Sequence, residues 1–138
     1  MTRLRQHGLL LVAMGLLVAI AAACATDSGG EGPGTSSIAQ VDSIEFLMLE
    51  SFPVQVTVMA RGNLPGSCIA IDQITQERQG NTFKVTITTR LFGQLCTGME
   101  VPFEEAIALE VRGLPAGTYT VDVNGVTGSF TLDVDNVL

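Results

Sequence analysis

The residues able to do chemistry in this chain are few. Its one histidine is His7, and its cysteines are Cys24, Cys68 and Cys96. Two acids stand side by side at Glu104–Glu105, and further oxygen donors gather in "DVNG" (Asp122–Gly125) and "DVDN" (Asp133–Asn136). Hydrolysis of the Ser-His-Asp type needs a base beside its nucleophile. Beyond residue 23 the sequence has no histidine and a single lysine, Lys84, so neither that chemistry nor thiol catalysis by Cys68 or Cys96 is supported. Adjacent carboxylates on a strand point to opposite faces, so Glu104 and Glu105 cannot share a proton or flank one substrate bond. The Asp-bearing stretches lack the alternating acids and closing bidentate Glu of an EF-hand and read as solvated turn and tail. Met48, Met59 and Met99 are scattered in the manner of gap-filling or surface methionines, not grouped for Cu(I). Neither "GTYT" nor "GNLPG" has the strand, glycine loop and helix that cradle phosphate. The expectation is a non-enzyme without cofactor or metal.

The cysteines divide by their surroundings. "MTRLRQHG" supplies Arg3 and Arg5, and Leu9–Ala23 is a 15-residue apolar run that ends in "AAA" before Cys24. A membrane-spanning helix needs about 20 such residues. A short cationic segment, an apolar stretch and small residues at the cut are instead the parts of a signal peptide. "AAAC" at Ala21–Cys24 resembles a bacterial lipobox, with Ala21 where Leu is common. The resemblance implies cleavage before Cys24, acylation of its thiol and a membrane-anchored lipoprotein of the bacterial cell envelope. An ordinary secretory signal cut near Ala23 and an uncleaved anchor are the alternatives.

The next stretch fits a tether. "ATDSGGEGPGTSS" (Ala25–Ser37) has no large apolar residue and cannot bury enough surface to offset its ordering entropy. Its 13 residues have a root-mean-square reach of roughly 20 Å. The domain division is therefore signal peptide at 1–23, tether at 24–37 and folded domain at 38–138. An odd cysteine count in an exported protein leaves one thiol to explain. If Cys24 carries lipid, Cys68 and Cys96 remain as an even pair in an oxidising compartment. Cleavage leaves five Lys and Arg against 14 Asp and Glu, moving the formal charge from −7 to −9. Such a chain repels phosphate, so nucleic acid and anionic lipid headgroups are poor partners.

From Ile38 onward the pattern is period-2 alternation broken by turns every eight to twelve residues, the mark of short half-buried strands. "VQVTVMAR" puts Val54, Val56, Val58 and Ala60 on one face. "TFKVTITTR" does so with Phe83, Val85 and Ile87, and "EEAIALEV" with Ile107, Leu109 and Val111. "GTYTVDV" groups Tyr119, Val121 and Val123, and "VTGSFTL" groups Val126, Phe130 and Leu132. Two more strands are expected at Asp42–Glu50 and Ser67–Arg78, the second with a bulge near Asp72. "NG" at Asn124–Gly125 is a hairpin signal, because a type I′ turn needs positive φ at both central residues. About seven antiparallel strands in about 100 residues predict an all-β, immunoglobulin-like sandwich.

"GLPAGTYTVDVNG" (Gly113–Gly125) resembles the tyrosine-corner passage of fibronectin type III and other immunoglobulin-like domains. There a Tyr hydroxyl bonds back to the connecting backbone, and the resemblance gives Leu114, Gly117 and Tyr119 those positions. The run "ESFPVQVTVMARGNLPGSC", "GNTFKVTITTR", "C", "PFEEAIALEVRGLPAGTYTVDVNGV" and "SFTL" is similar to a group of uncharacterised bacterial lipoproteins. That similarity implies a secreted sandwich domain and carries no activity.

Function is then expected to reside in loops. Candidate binding residues are Gly62, Asn63, Leu64, Pro65 and Gly66 with Cys68, and the link Leu91–Pro102. These are expected at the end of the sandwich far from the tether, where apolar Leu91, Phe92 and Leu95 either cap the core or make a contact, capping being the favoured role. The partner is the membrane, through lipid on Cys24, together with an unidentified protein or glycan. A second reading is an immunoglobulin-like protease inhibitor that inserts "GNLPG" into a cleft.

Overall fold

A computed structural model describes residues 36–138. The signal peptide, Cys24 and the tether through Thr35 lie outside the described residues. Eight strands follow: β1 (Ser37–Ile38), β2 (Gln40–Leu49), β3 (Gln55–Leu64), β4 (Ile69–Gln79), β5 (Thr82–Leu91), β6 (Val101–Leu109), β7 (Gly117–Val123) and β8 (Val126–Leu132). Seven of them are the expected strands. The eighth, β1, pairs Ser37 with Thr89 and Ile38 with Thr88, so strand structure begins at the last residue assigned to the tether. The bulge is present too, as a register shift between Ile71 and Ile74 where β4 pairs with β5.

The strands form two sheets, β2-β3-β6 and a five-stranded sheet of β1, β4, β5, β7 and β8. The chain is therefore an all-β sandwich, but its strand order departs from the immunoglobulin one. In that fold the third and sixth of the seven strands are neighbours. Here the neighbour of β7 is β5, the fourth main strand, and the two run parallel, Thr82 opposite Thr120 through Val85 opposite Val123. Composition explains the exchange. β4, "IAIDQITQERQ", has no fully buried residue, which suits a sheet edge. β5 buries Phe83, Val85, Ile87 and Thr89 on one face and belongs in the middle.

The core is continuous between the layers. Val56, Val58 and Ala60 of β3 and Ile107 and Leu109 of β6 join the apolar faces of β5, β7 and β8 in one buried cluster. Four aromatic rings run through it: Phe46–Phe130 at 5.8 Å, Tyr119–Phe130 at 5.6 Å and Phe83–Tyr119 at 6.1 Å between centroids. These separations lie in the favourable range for tilted and offset ring pairs. The open side between β2 and β8 is closed by Ile44 and Phe46, which lie against Gly128.

Where strands run out, side-chain amides take over their hydrogen bonds. β4 pairs with one edge of β5, so β1 and β7 share the other, and Asn124 fills the gap between them. Its Oδ1 accepts from Ile87 N–H at 2.9 Å, and its Nδ2 donates to Ile87 C=O at 2.9 Å and Ala39 C=O at 2.8 Å. The turn that delivers it has φ of 49° at Asn124 and 94° at Gly125, as a type I′ hairpin requires.

Asn136, fully buried, repeats the device in the C-terminal tail. Its Oδ1 accepts from Val54 N–H at 2.7 Å, and its Nδ2 donates to Val54 C=O at 3.0 Å and Val111 C=O at 2.9 Å. The expectation of a solvated tail therefore fails at Asn136. Gln76 of β4 does the same for the edge of β6, donating to Ala108 C=O and accepting from Glu110 N–H. Each amide both donates and accepts, as a strand residue does.

Loss of a buried amide should strand backbone groups without partners, at about 1–3 kcal/mol each. Asn136→Ala should lower unfolding free energy by about 3–4 kcal/mol, and Asn136→Asp by at least as much, because a carboxylate cannot donate to two carbonyls. Asn124→Gly, which keeps the positive-φ turn, should lose about 1–2 kcal/mol. Half-buried Gln76→Ala should lose under about 1 kcal/mol, since water can replace it. Urea unfolding midpoints for the four variants check this order.

Candidate functional site

Backbone pairing brings the predicted loop residues to one end of the sandwich. β3 continues to Leu64, which pairs with Val101. Ser67 N–H donates to Thr97 C=O at 3.1 Å and Phe92 N–H to Cys68 C=O at 2.8 Å, while Thr97 N–H donates to Ser67 Oγ at 2.9 Å. Cys68 and Cys96 form a disulfide with a Cα–Cα distance of 5.3 Å. The link from Phe92 to Glu100 is thus stapled across the β3–β4 turn. Gly93 lies over the staple, where a Cβ would come within 2.8 Å of Cys68 Sγ.

Two expectations fail here. Gly62, Asn63 and Leu64 are strand residues, not loop residues, and Gly62, Leu64 and Gly66 are buried. Of that group Pro65 alone is exposed. The glycine at 62 serves a close approach: a Cβ there would collide with the Gln40 carbonyl and come within 2.8 Å of the Phe103 ring. The protruding loop that an inhibitor would insert is not formed by this segment.

The capping role of Leu91, Phe92 and Leu95 also fails. Their exposures are 57%, 60% and 99%, and Met99 in the same link is 73% exposed. Buried Ala39, Val41, Leu64 and Cys68 close this end of the core beneath the link instead. Ile38, Pro65, Ile69 and Leu91 line a neighbouring recess of about 390 Å³.

The opposite end is held differently. Tyr119 is buried and its hydroxyl donates to Pro115 C=O at 2.8 Å, the bond a tyrosine corner makes. Leu114 is buried beside it and Gly117 opens β7. The tail clamps the same link: Gly113 N–H donates to Asn136 C=O and Asn136 N–H to Leu114 C=O, both at 2.7 Å. Asp135 Oδ1 accepts from Ala116 N–H at 2.8 Å.

The paired acids separate as strand geometry requires. Glu104 lies on the outer face, where Arg61 binds it and also reaches Glu45 at 3.0 Å. Glu105 shares the face of Ile107 and is half-buried. Hydrogen bonding to Glu104 first and to Glu45 second raises the Arg61 pKa above its ordinary value. The arrangement is a carboxylate–guanidinium–carboxylate ladder across β2, β3 and β6.

Ser37 pairs with Thr89, two residues before Leu91. The chain therefore joins the sandwich at the stapled end. This reverses the expected placement: the disulfide-held link lies on the tether side of the domain, not on the far side.

Residues 58–132, from within β3 to the end of β8, match the family model for the ORF11 beta-sandwich domain. The chain belongs to that family. An uncharacterized 10.2 kDa protein in the HgiCIIM 5′ region of Herpetosiphon aurantiacus is 34% identical over 93 residues, 67% of this chain and 98% of the relative. Two others from that organism, uncharacterized 10.2 kDa proteins in the HgiBIM and HgiEIM 5′ regions, are each 36% identical over 83 residues. Those residues are 59% of this chain and 100% of each relative. No solved structure matches the chain. Membership in the family fixes the sandwich and names no activity.

The staple and the close approach at Gly62 should both be measurable as stability. A loop spanning 28 residues implies that Cys68→Ser with Cys96→Ser costs about 3–4 kcal/mol on the chain-entropy model. Gly62→Ala should cost about 2–3 kcal/mol by overpacking against backbone. Chemical denaturation of each variant beside the parent decides both.

Proposed function

We propose that this chain is an extracytoplasmic lipoprotein of the bacterial envelope, anchored through Cys24, whose sandwich is a non-enzymatic interaction module. The observation that carries the reading is the disulfide. It accounts for Cys68 and Cys96 in one structural bond and leaves Cys24, at the end of the apolar run, for a different chemistry. Structural disulfides belong to oxidising compartments, which agrees with export. The acidic charge argues for a protein or glycan partner and against nucleic acid. The ion-pair ladder around Arg61 gives the nearest carboxylates a structural occupation, which supports the non-enzymatic part of the reading.

The test is the intact mass and membrane fractionation of the native protein beside Cys24→Ala. The mature parent should begin at Cys24, carry acyl mass and sediment with membranes. The Cys24→Ala variant should lose the acyl mass and the cut before residue 24. A variant processed and membrane-bound like the parent would exclude the lipid anchor.

A further inference from the structure

Building on the lipid anchor proposed above, we infer that the stapled link is a second membrane contact, with Phe92, Leu95 and Met99 resting in the interface of a zwitterionic bilayer. Position comes first. The link occupies the end of the sandwich at which Ser37 joins β5, so the tether and the apolar residues share one side. Reach comes second. Residues 25–36 would separate Cys24 from Ser37, and a Gly- and Ser-rich tether of 12 residues would reach roughly 19 Å. A ten-residue strand such as β3 is about 33 Å long. Such a tether would let the stapled end of an anchored domain reach the lipid, at less than the domain's own length.

Side-chain chemistry comes third. From Leu91 to Pro102 the sequence "LFGQLCTGMEVP" has one charged residue, Glu100, so few charges would be desolvated by contact. Leu95 is 99% exposed and Phe92 60% exposed, and the disulfide, two backbone hydrogen bonds and one to the Ser67 hydroxyl fix the link that carries them. A rigid apolar surface loses little ordering entropy on docking. The anchor supplies the local concentration that a small apolar contact could not reach from solution. Charge selects the lipid: a chain with a formal −9 after cleavage is repelled by anionic headgroups, so the favoured surface is zwitterionic.

The chain has no tryptophan, which makes a single introduced indole a clean reporter. Leu95→Trp and, at the opposite end, Phe52→Trp are prepared as full-length lipidated protein in phosphatidylcholine vesicles containing brominated lipid. Interfacial seating at 5–10 Å depth should quench Leu95→Trp roughly twofold and shift its emission to the blue, with Phe52→Trp unchanged. Added phosphatidylserine should weaken the effect. Intact mass on the same samples reports the acyl group on Cys24 and the disulfide. Acylated, disulfide-bonded protein whose Leu95→Trp emission is unquenched overturns the inference and leaves the anchor standing. A blue shift that grows with protein density without lipid quenching assigns the surface to a second copy, and also overturns it. Protein without the acyl group overturns the anchor and this inference together.

Discussion

The sandwich depends on hydrogen bonds that strands alone do not complete. β5 is central to its sheet, yet β1 and β7 each cover only part of its second edge, and Ile87 falls between them. The Ile87 C=O accepts from Ala39 N–H at 2.9 Å, but without a further partner the Ile87 N–H of a buried strand would go unpaired, which proteins avoid because desolvation is not repaid. The Asn124 side chain meets both groups and the Ala39 carbonyl as well. That single amide lets β1 and β7 share an edge, and so lets a parallel β5–β7 pair stand where the immunoglobulin arrangement has an antiparallel one. Asn136 and Gln76 solve the same problem at the tail and at the β6 edge.

From this follows the polarity of the domain. β1 is held beside Thr88 and Thr89 by its own pairing, by Ala39 N–H on the Ile87 C=O and by Asn124 on the Ala39 C=O, and the chain therefore joins at the end stapled by Cys68–Cys96. The other end is sealed by the tail, through Asn136, Asp135 and the Tyr119–Pro115 bond. The two ends differ in surface as well as in bracing. The stapled end exposes an apolar link with one charge, and its bracing is covalent. A covalent brace suits a segment whose own side chains contribute little to the core.

Much of this was legible in the alternation of apolar residues. It gave the inward faces of Val56–Val58–Ala60, Phe83–Val85–Ile87 and Tyr119–Val121–Val123, because side-chain period 2 is a local property. The bulge near Asp72 and the Asn124–Gly125 turn were legible for the same reason. Strand order was not, since alternation tells which face a residue takes and not which strand lies beside it. The polar face and edge character of β4 were the available signal. "GNLPG" misled because glycine marks both turns and close approaches, and Gly62 is the second kind. Leu91, Phe92 and Leu95 misled because apolar character alone does not say whether a link folds inward. Asn136 looked solvated because nothing in "DVDN" shows that two distant backbone segments need its amide.

The most direct test of the account is a trans-hydrogen-bond scalar coupling experiment on isotopically labelled protein, read at the Ile87 amide. The account predicts a coupling from the Ile87 nitrogen to the Asn124 side-chain carbonyl carbon, with Ala39 N–H coupled to the Ile87 carbonyl. A coupling from the Ile87 nitrogen to a backbone carbonyl of β7 would contradict it, because β7 would then continue along β5 over the edge that Asn124 and β1 occupy.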